Sequence, residues 1–75
     1  MKLISMQEVV KNHVYKYRTE AGVTQETFAE GIGVTRQTVI AIEKGNYTPS
    51  VLLALRIARF FKRPVEDLFS LIYEK

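Results

Sequence analysis

The sequence has no cysteine and a single histidine, His13. The first absence excludes a structural disulfide and a thiolate metal site, and one imidazole cannot anchor a metal by itself. No metal and no cofactor are therefore expected. Long hydrophobic runs are missing too. The longest apolar stretch, Val51 to Phe61, is broken by Arg56 and Arg59, far short of the ~20 apolar residues that span a bilayer. The start, Met1-Lys2-Leu3-Ile4-Ser5-Met6, carries one basic residue and too short an apolar run for the ~7–15-residue core of a signal peptide. These absences point to a soluble, cytoplasmic protein without a membrane partner. His13 has no cysteine nucleophile to work with, and Glu8, Glu20, Glu26 and Glu30 read as helix-surface charges rather than a convergent acid–base pair. An enzyme is not expected.

What is present is one small domain over residues 1–75. The 75 residues, 8.6 kDa in mass, leave no room for a second, because independent domains usually need more than ~50 residues each. A chain this short without covalent or metal staples depends on its core, and its 47% hydrophobic content is that of a globular protein. Eleven Lys and Arg against eight Asp and Glu leave a net charge of +3. That mild basic lean is compatible with polyanion binding and equally with a solvated surface.

Glycines and prolines divide the chain into five helices. Val10, Val14, Tyr17 and Ala21 share one helical face, which predicts helix 1 from Gln7 or Val10 to Ala21, stopped by Gly22. Thr24 is placed as the N-cap of a second helix that Gly31 and Gly33 limit to about two turns. Thr35 caps a third, Arg36 to Lys44, ended by Gly45. Ser50 caps a fourth, Val51 to Phe61, apolar on nearly every side and so either central or in contact with another chain. Pro64 suits the first turn of a last short helix, with Glu66 and Asp67 at the positive end of its dipole. The fold class is all-α, a compact five-helix bundle. Leu3-Ile4-Ser5-Met6 and Leu68-Phe69-Ser70-Leu71-Ile72-Tyr73 lie at the ends, where such short apolar runs either pair as terminal strands or lengthen the terminal helices.

Helices 2 and 3 are separated only by Gly33-Val34-Thr35, the spacing of a helix-turn-helix unit. On the wheel of helix 3, Val39 and Ile42 face one way and Gln37, Ile40, Ala41 and Lys44 the other, with Arg36 beside them. One face packs and the other is presented. The runs Thr24-Gln25-Glu26-Thr27-Phe28-Ala29, Gly33-Val34-Thr35-Arg36-Gln37-Thr38-Val39, Ile42-Glu43-Lys44-Gly45, Pro49-Ser50 and Glu66-Asp67-Leu68-Phe69 together resemble the helix-turn-helix domain of the Cro and phage-repressor (Xre-like) transcriptional regulators. The likeness covers about Asn12 to Phe69. It implies a five-helix DNA-binding domain, usually dimeric, whose helix 3 enters the major groove.

Arg36 and Gln37 sit in the first turn of helix 3, the end that reaches base edges in this motif. Arginine can bond guanine, and glutamine adenine, with two hydrogen bonds each. Ile40 and Ala41 complete the base-facing set: an exposed isoleucine there either meets thymine methyl groups or is scattered apolar surface or a core contact. Phosphate contacts are expected at the N-terminus of helix 2, where Thr24 and Gln25 stand at the positive end of the dipole. Thr35, Lys44, Asn46, Tyr47 and Thr48 extend that backbone clamp. The resemblance further implies a buried ion pair between Arg18 and Glu43 that orients helix 3, with an exposed, phosphate-binding Arg18 as the competing reading. Arg56, Arg59, Lys62 and Arg63 form the densest positive cluster. Helix 4 lies away from the groove in the resembling fold, and these four read as solvated surface.

The chain departs from the family pattern in three places. Lys62-Arg63-Pro64 replaces the usual glycine after helix 4, which predicts a differently built final turn. Gly31 lies inside helix 2, a cost of ~1 kcal/mol against alanine unless close packing requires it. Leu52 and Phe60 are apolar where the family tends to be polar or smaller. With Leu53 and Leu55 they suggest more apolar surface than a small bundle can hide, hence a homodimer. The function expected is a sequence-specific regulator of transcription, a repressor, that binds a near-palindromic double-stranded operator. The alternative is an antitoxin-like interaction module with a protein partner and secondary DNA binding.

Overall fold

A computed structural model of the chain describes residues 7–74. Two strands and five helices follow in order: β1 (Gln7–Asn12), α1 (Val14–Glu20), α2 (Gln25–Ile32), α3 (Arg36–Glu43), α4 (Val51–Phe61), α5 (Val65–Leu68) and β2 (Phe69–Glu74). Three of the helices, α2, α3 and α4, start where the hydroxyl caps stand. Thr24, Thr35 and Ser50 each accept a hydrogen bond from the backbone N–H three residues on, at Thr27, Thr38 and Leu53, which satisfies a donor the first turn would otherwise leave free. Gly33, with φ 79°, ends α2 in the left-handed conformation, and its N–H returns to the carbonyl of Ala29 at 2.9 Å. A residue with a Cβ is strained at that angle, so glycine is what lets the chain turn from α2 into α3.

Side chains from every helix meet in one core. Val14, Phe28, Ile32, Val39, Ile42, Ile57 and Leu68 are sealed from solvent. Phe28 lies at its centre, edge-on to Phe60 at 5.0 Å between ring centres and stacked on Phe61 at 5.2 Å. The fully buried pair Val39 and Ile42 fixes which side of α3 faces inward.

Two helix starts differ from the sequence-based expectation. Helix 1 begins at Val14, not at Gln7 or Val10, because Gln7–Asn12 forms a strand. The apparent helical face misled there: Val10 is exposed, and Val9 and Val10 sit opposite Ile72 and Leu71 in an antiparallel pairing. Of the two alternatives for the terminal runs, residues 69–74 take the strand, and β1 pairs with β2 of the same chain. Leu3, Ile4, Ser5 and Met6, also considered for a strand, lie outside the described residues. Pro64 precedes α5 as its N-cap instead of opening its first turn.

The turn after α4 keeps the left-handed stop despite lacking glycine. Lys62 takes φ 56° and ψ 46°, and its N–H and that of Arg63 bond the carbonyls of Arg59 and Ala58. Gly31 has a packing reason: a Cβ there would come within 2.5 Å of the Phe60 ring. The bulky Phe60 and the missing side chain at Gly31 fit one another.

Candidate nucleic-acid interface

The outward face of α3 carries the residues singled out in the sequence. Arg36 and Gln37 are exposed at its N-terminal end, and Lys44 is exposed just past its last residue. Ile40 and Ala41, between them, are half-buried rather than free surface. Thr24 and Thr35 are exposed, with their hydroxyls engaged as caps, and Thr35 is also 3.2 Å from the hydroxyl of Thr38. Asn46, Tyr47 and Thr48 are exposed in the loop that follows.

Thr24, Arg36, Gln37, Ala41, Asn46 and Tyr47 border two open clefts near the start of α3, while Thr35, Ile40, Lys44 and Thr48 line neither. One, of about 620 Å³, is lined by Arg18, Thr24, Gln25, Glu26 and Arg36. The other, of about 370 Å³, is lined by Gln37, Thr38, Ala41, Asn46 and Tyr47. Arg36 and Gln37, neighbours in sequence, therefore lie along different clefts. The first lies at the N-terminus of α2, where backbone donors and the helix dipole favour an anion.

Beneath the interface an ion pair fixes α3. Arg18 Nε donates to Glu43 Oε2 at 2.6 Å and Nη2 to Oε1 at 3.2 Å, while Nη1 donates to the carbonyl of Val23 at 2.8 Å. Both side chains are nearly closed off from solvent, 10% and 6% exposed. The hydrogen bond that Arg18 donates to Glu43, supported by the carboxylate's charge and opposed by burial, raises the Arg18 pKa above its ordinary value, so the guanidinium stays charged. All three guanidinium nitrogens are thus engaged inside the protein, and Arg18 reaches the cleft with little of its surface. Gln25 joins it by donating from Nε2 to Glu43 Oε1 at 3.1 Å. One carboxylate at the end of α3 thus holds α1 and the first turn of α2.

Asn12 is a positioning residue that sequence reasoning missed. Its Oδ1 accepts from Val14 N at 3.1 Å, opening α1, and its Nδ2 donates to the carbonyl of Ile42 at 2.8 Å. The strand end, the first helix and the last turn of α3 meet at this side chain. The available signal was an asparagine two residues before Val14, the first core position of helix 1, a spacing that suits an Asx turn.

Among the described residues no group of three or more His, Asp or Glu side chains is placed to hold a metal ion. No helix there is long and apolar enough to cross a membrane.

Known proteins share this arrangement. A helix-turn-helix family model matches residues 14–68. The HTH-type transcriptional regulator YgzD of Bacillus subtilis, itself uncharacterized, is 53% identical over 62 residues, 83% of this chain and 94% of YgzD. An uncharacterized HTH-type regulator of Methanocaldococcus jannaschii is 52% identical over 65 residues, 87% of this chain and 96% of its own. Among solved structures, the restriction-modification controller protein C.AhdI of Aeromonas hydrophila superposes with a TM-score of 0.68 at 28% identity, over 72% of this chain and 82% of that one. The transcriptional regulator VanUg matches 99% of this chain and 100% of its own with a TM-score of 0.72. At 17% identity that likeness concerns the fold alone. With its presented α3, its capped α2 and these relatives, the chain belongs to the helix-turn-helix family of Cro and phage-repressor type regulators, DNA-binding proteins that control transcription.

Proposed function

We propose that this regulator is a repressor that binds a near-palindromic operator as a symmetric homodimer, laying α3 of each protomer in the major groove. The observation that carries the reading is the two-sidedness of α3: Val39 and Ile42 are fully buried, while Arg36 and Gln37 stand exposed at the end that reaches base edges in this motif. Arg36 bonds a guanine and Gln37 an adenine, each through two hydrogen bonds. Ile40 and Ala41, half-buried behind them, supply apolar contact to thymine methyl groups.

Thr24, Gln25, Thr35, Lys44, Asn46, Tyr47 and Thr48 hold the phosphates. Gln25 has one amide N–H committed to Glu43, which leaves the other for a phosphate oxygen and keeps the side chain in one orientation. Arg18 and Glu43 act through orientation, not contact. The work is done in the cytoplasm, by binding rather than catalysis. A relative named as a repressor, the cryptic phage CTXphi repressor RstR of Vibrio cholerae, supports the sign of the regulation; it is 38% identical over 53 residues, 71% of this chain and 48% of RstR.

Selection from random duplexes, followed by a salt titration on the enriched sequence, tests the reading. The expected result is a two-fold motif with half-sites one helical turn apart and an affinity that falls steeply with salt. No enriched motif, or binding indifferent to salt, overturns it.

A further inference from the structure

Eight large apolar side chains are exposed among the described residues, and six of them fall on two surfaces that α3 does not use. The first is the outer face of the sheet. Opposed residues of an antiparallel pair point the same way, so the register Glu8 to Tyr73 and Val10 to Leu71 puts these four on one face. Leu71 is 65% exposed, and Val10 and Tyr73 are open as well. The other face has Val9 and Ile72 half-buried beside the end of α3, across a cleft they line with Glu43, Lys44 and Gly45. The second surface is a stripe on α4, where Val51, at 77% exposed, accompanies Leu52 and Leu55. Arg59 continues the stripe one turn on from Leu55, and it too is exposed.

A two-stranded sheet is marginal in water unless a layer covers it. Here the inner face has α3 beside it, and nothing among the described residues covers the outer. We propose that a second copy of this chain covers both surfaces by exchange. The outer sheet face of each protomer lies on the α4 stripe of the other, with Glu8 against Arg59 of the partner subunit. This deepens the dimeric reading above and rests on it.

Two considerations select the exchanged arrangement. The outer sheet face carries an acid, Glu8, and the α4 stripe a base, Arg59, so sheet on sheet or stripe on stripe would gather charges of one sign only. Like charges placed together disfavour an interface, whereas exchange pairs opposite charges twice. Exchange also uses both surfaces in one isologous contact. The six side chains offer on the order of 600 Å² of apolar area per protomer, against about 800 Å² of all kinds in a standard interface.

Charge reversal in mixed samples tests the exchange, read by sedimentation with circular dichroism as the folding control. Glu8→Lys and Arg59→Glu should each weaken the homodimer by about tenfold or more. A one-to-one mixture of the two should recover native affinity as a heterodimer, since both contacts again pair opposite charges. Because the chain lacks cysteine, Leu71→Cys and Leu55→Cys provide a second readout. A short bismaleimide should join the two variants to each other in a mixture and join neither to itself. Self-joining of either variant, or a mixture of charge variants no tighter than the single ones, overturns the exchange while leaving a dimer. A native protein that stays monomeric at concentrations saturating its operator overturns the dimeric reading itself.

Discussion

Glu43 and Arg18 lock the last turn of α3 to α1 through two hydrogen bonds, the shorter 2.6 Å, with both side chains almost wholly buried. A charge left alone in such a place costs about 3–5 kcal/mol. Arg18→Ala and Glu43→Ala should therefore each destabilise the fold by that amount in denaturant titrations. Replacing both, as Arg18→Met with Glu43→Leu, should recover most of the loss, since an apolar pair of similar volume avoids desolvating two ions. The double variant should nonetheless bind the operator more weakly, because Gln25 loses its anchor on Glu43. Full stability together with full operator affinity in the double variant would show that the pair does not orient the interface.

The Gly31–Phe60 fit gives a prediction whose sign depends on its neighbour. Alanine at 31 gains about 1 kcal/mol of helix propensity. It also forces the Phe60 ring, which would otherwise lie 2.5 Å from the new Cβ, off its contact with Phe28. Overpacking of this kind costs about 1–3 kcal/mol. Gly31→Ala is thus expected to be neutral to destabilising in the native sequence and stabilising by about 1 kcal/mol when Phe60 is already alanine. A double-mutant cycle by thermal melting measures the difference, and additivity would mean the two residues do not press on one another.

Lys62 is the one non-glycine residue with positive φ among those described. Holding a residue with a Cβ in the left-handed region costs roughly 1–2 kcal/mol, part of which glycine would give back in unfolded-chain entropy. Lys62→Gly should raise stability by about 0.5–1 kcal/mol, a rise of several degrees in Tm for a domain of this size. Lys62→Val, with a branched Cβ, should move the midpoint the other way.

Most of the fold was legible because its boundaries are written in single residues. Thr24, Thr35 and Ser50 cap three helices, and hydroxyl caps and left-handed stops are local signals that tertiary packing rarely overrides. The first strand was not legible for a related reason. Val9 and Val10 satisfy helical and strand spacing alike, and what decides between them is a pairing with Leu71 and Ile72 some sixty positions away. Lys62 misled because a missing glycine was read as a differently built turn, whereas the cost of strain at one residue is small beside the packing of α4 and α5. At the interface, residue types identified the outward face of α3, since Val39 and Ile42 had to be inside. They could not reveal that Gln25 already spends one donor on Glu43, because that bond spans eighteen positions and depends on how α2 is set against α3. The role of Asn12 was hidden likewise, as its long-range partner is the backbone carbonyl of Ile42, which no side-chain pattern marks.

The two clefts at the start of α3 separate what base contacts and phosphate contacts should do. Gln37 lies along one with Ala41 and Tyr47, and Arg36 along the other with Thr24 and Gln25. Gln37→Ala should relax the preference at one base pair of each half-site by about 1–3 kcal/mol while leaving the salt dependence nearly unchanged. Lys44→Ala should do the reverse, weakening binding to all sequences alike and lowering the salt slope by about one unit per half-site. Arg36, placed beside the positive end of α2, is expected to show both effects: lost preference for one base pair and a shallower slope. Competition binding with single-base operator variants at two salt concentrations measures all three. If Lys44→Ala altered base preference and Gln37→Ala altered only the slope, the assignment of α3 to base reading and of the turn after it to the backbone would be reversed.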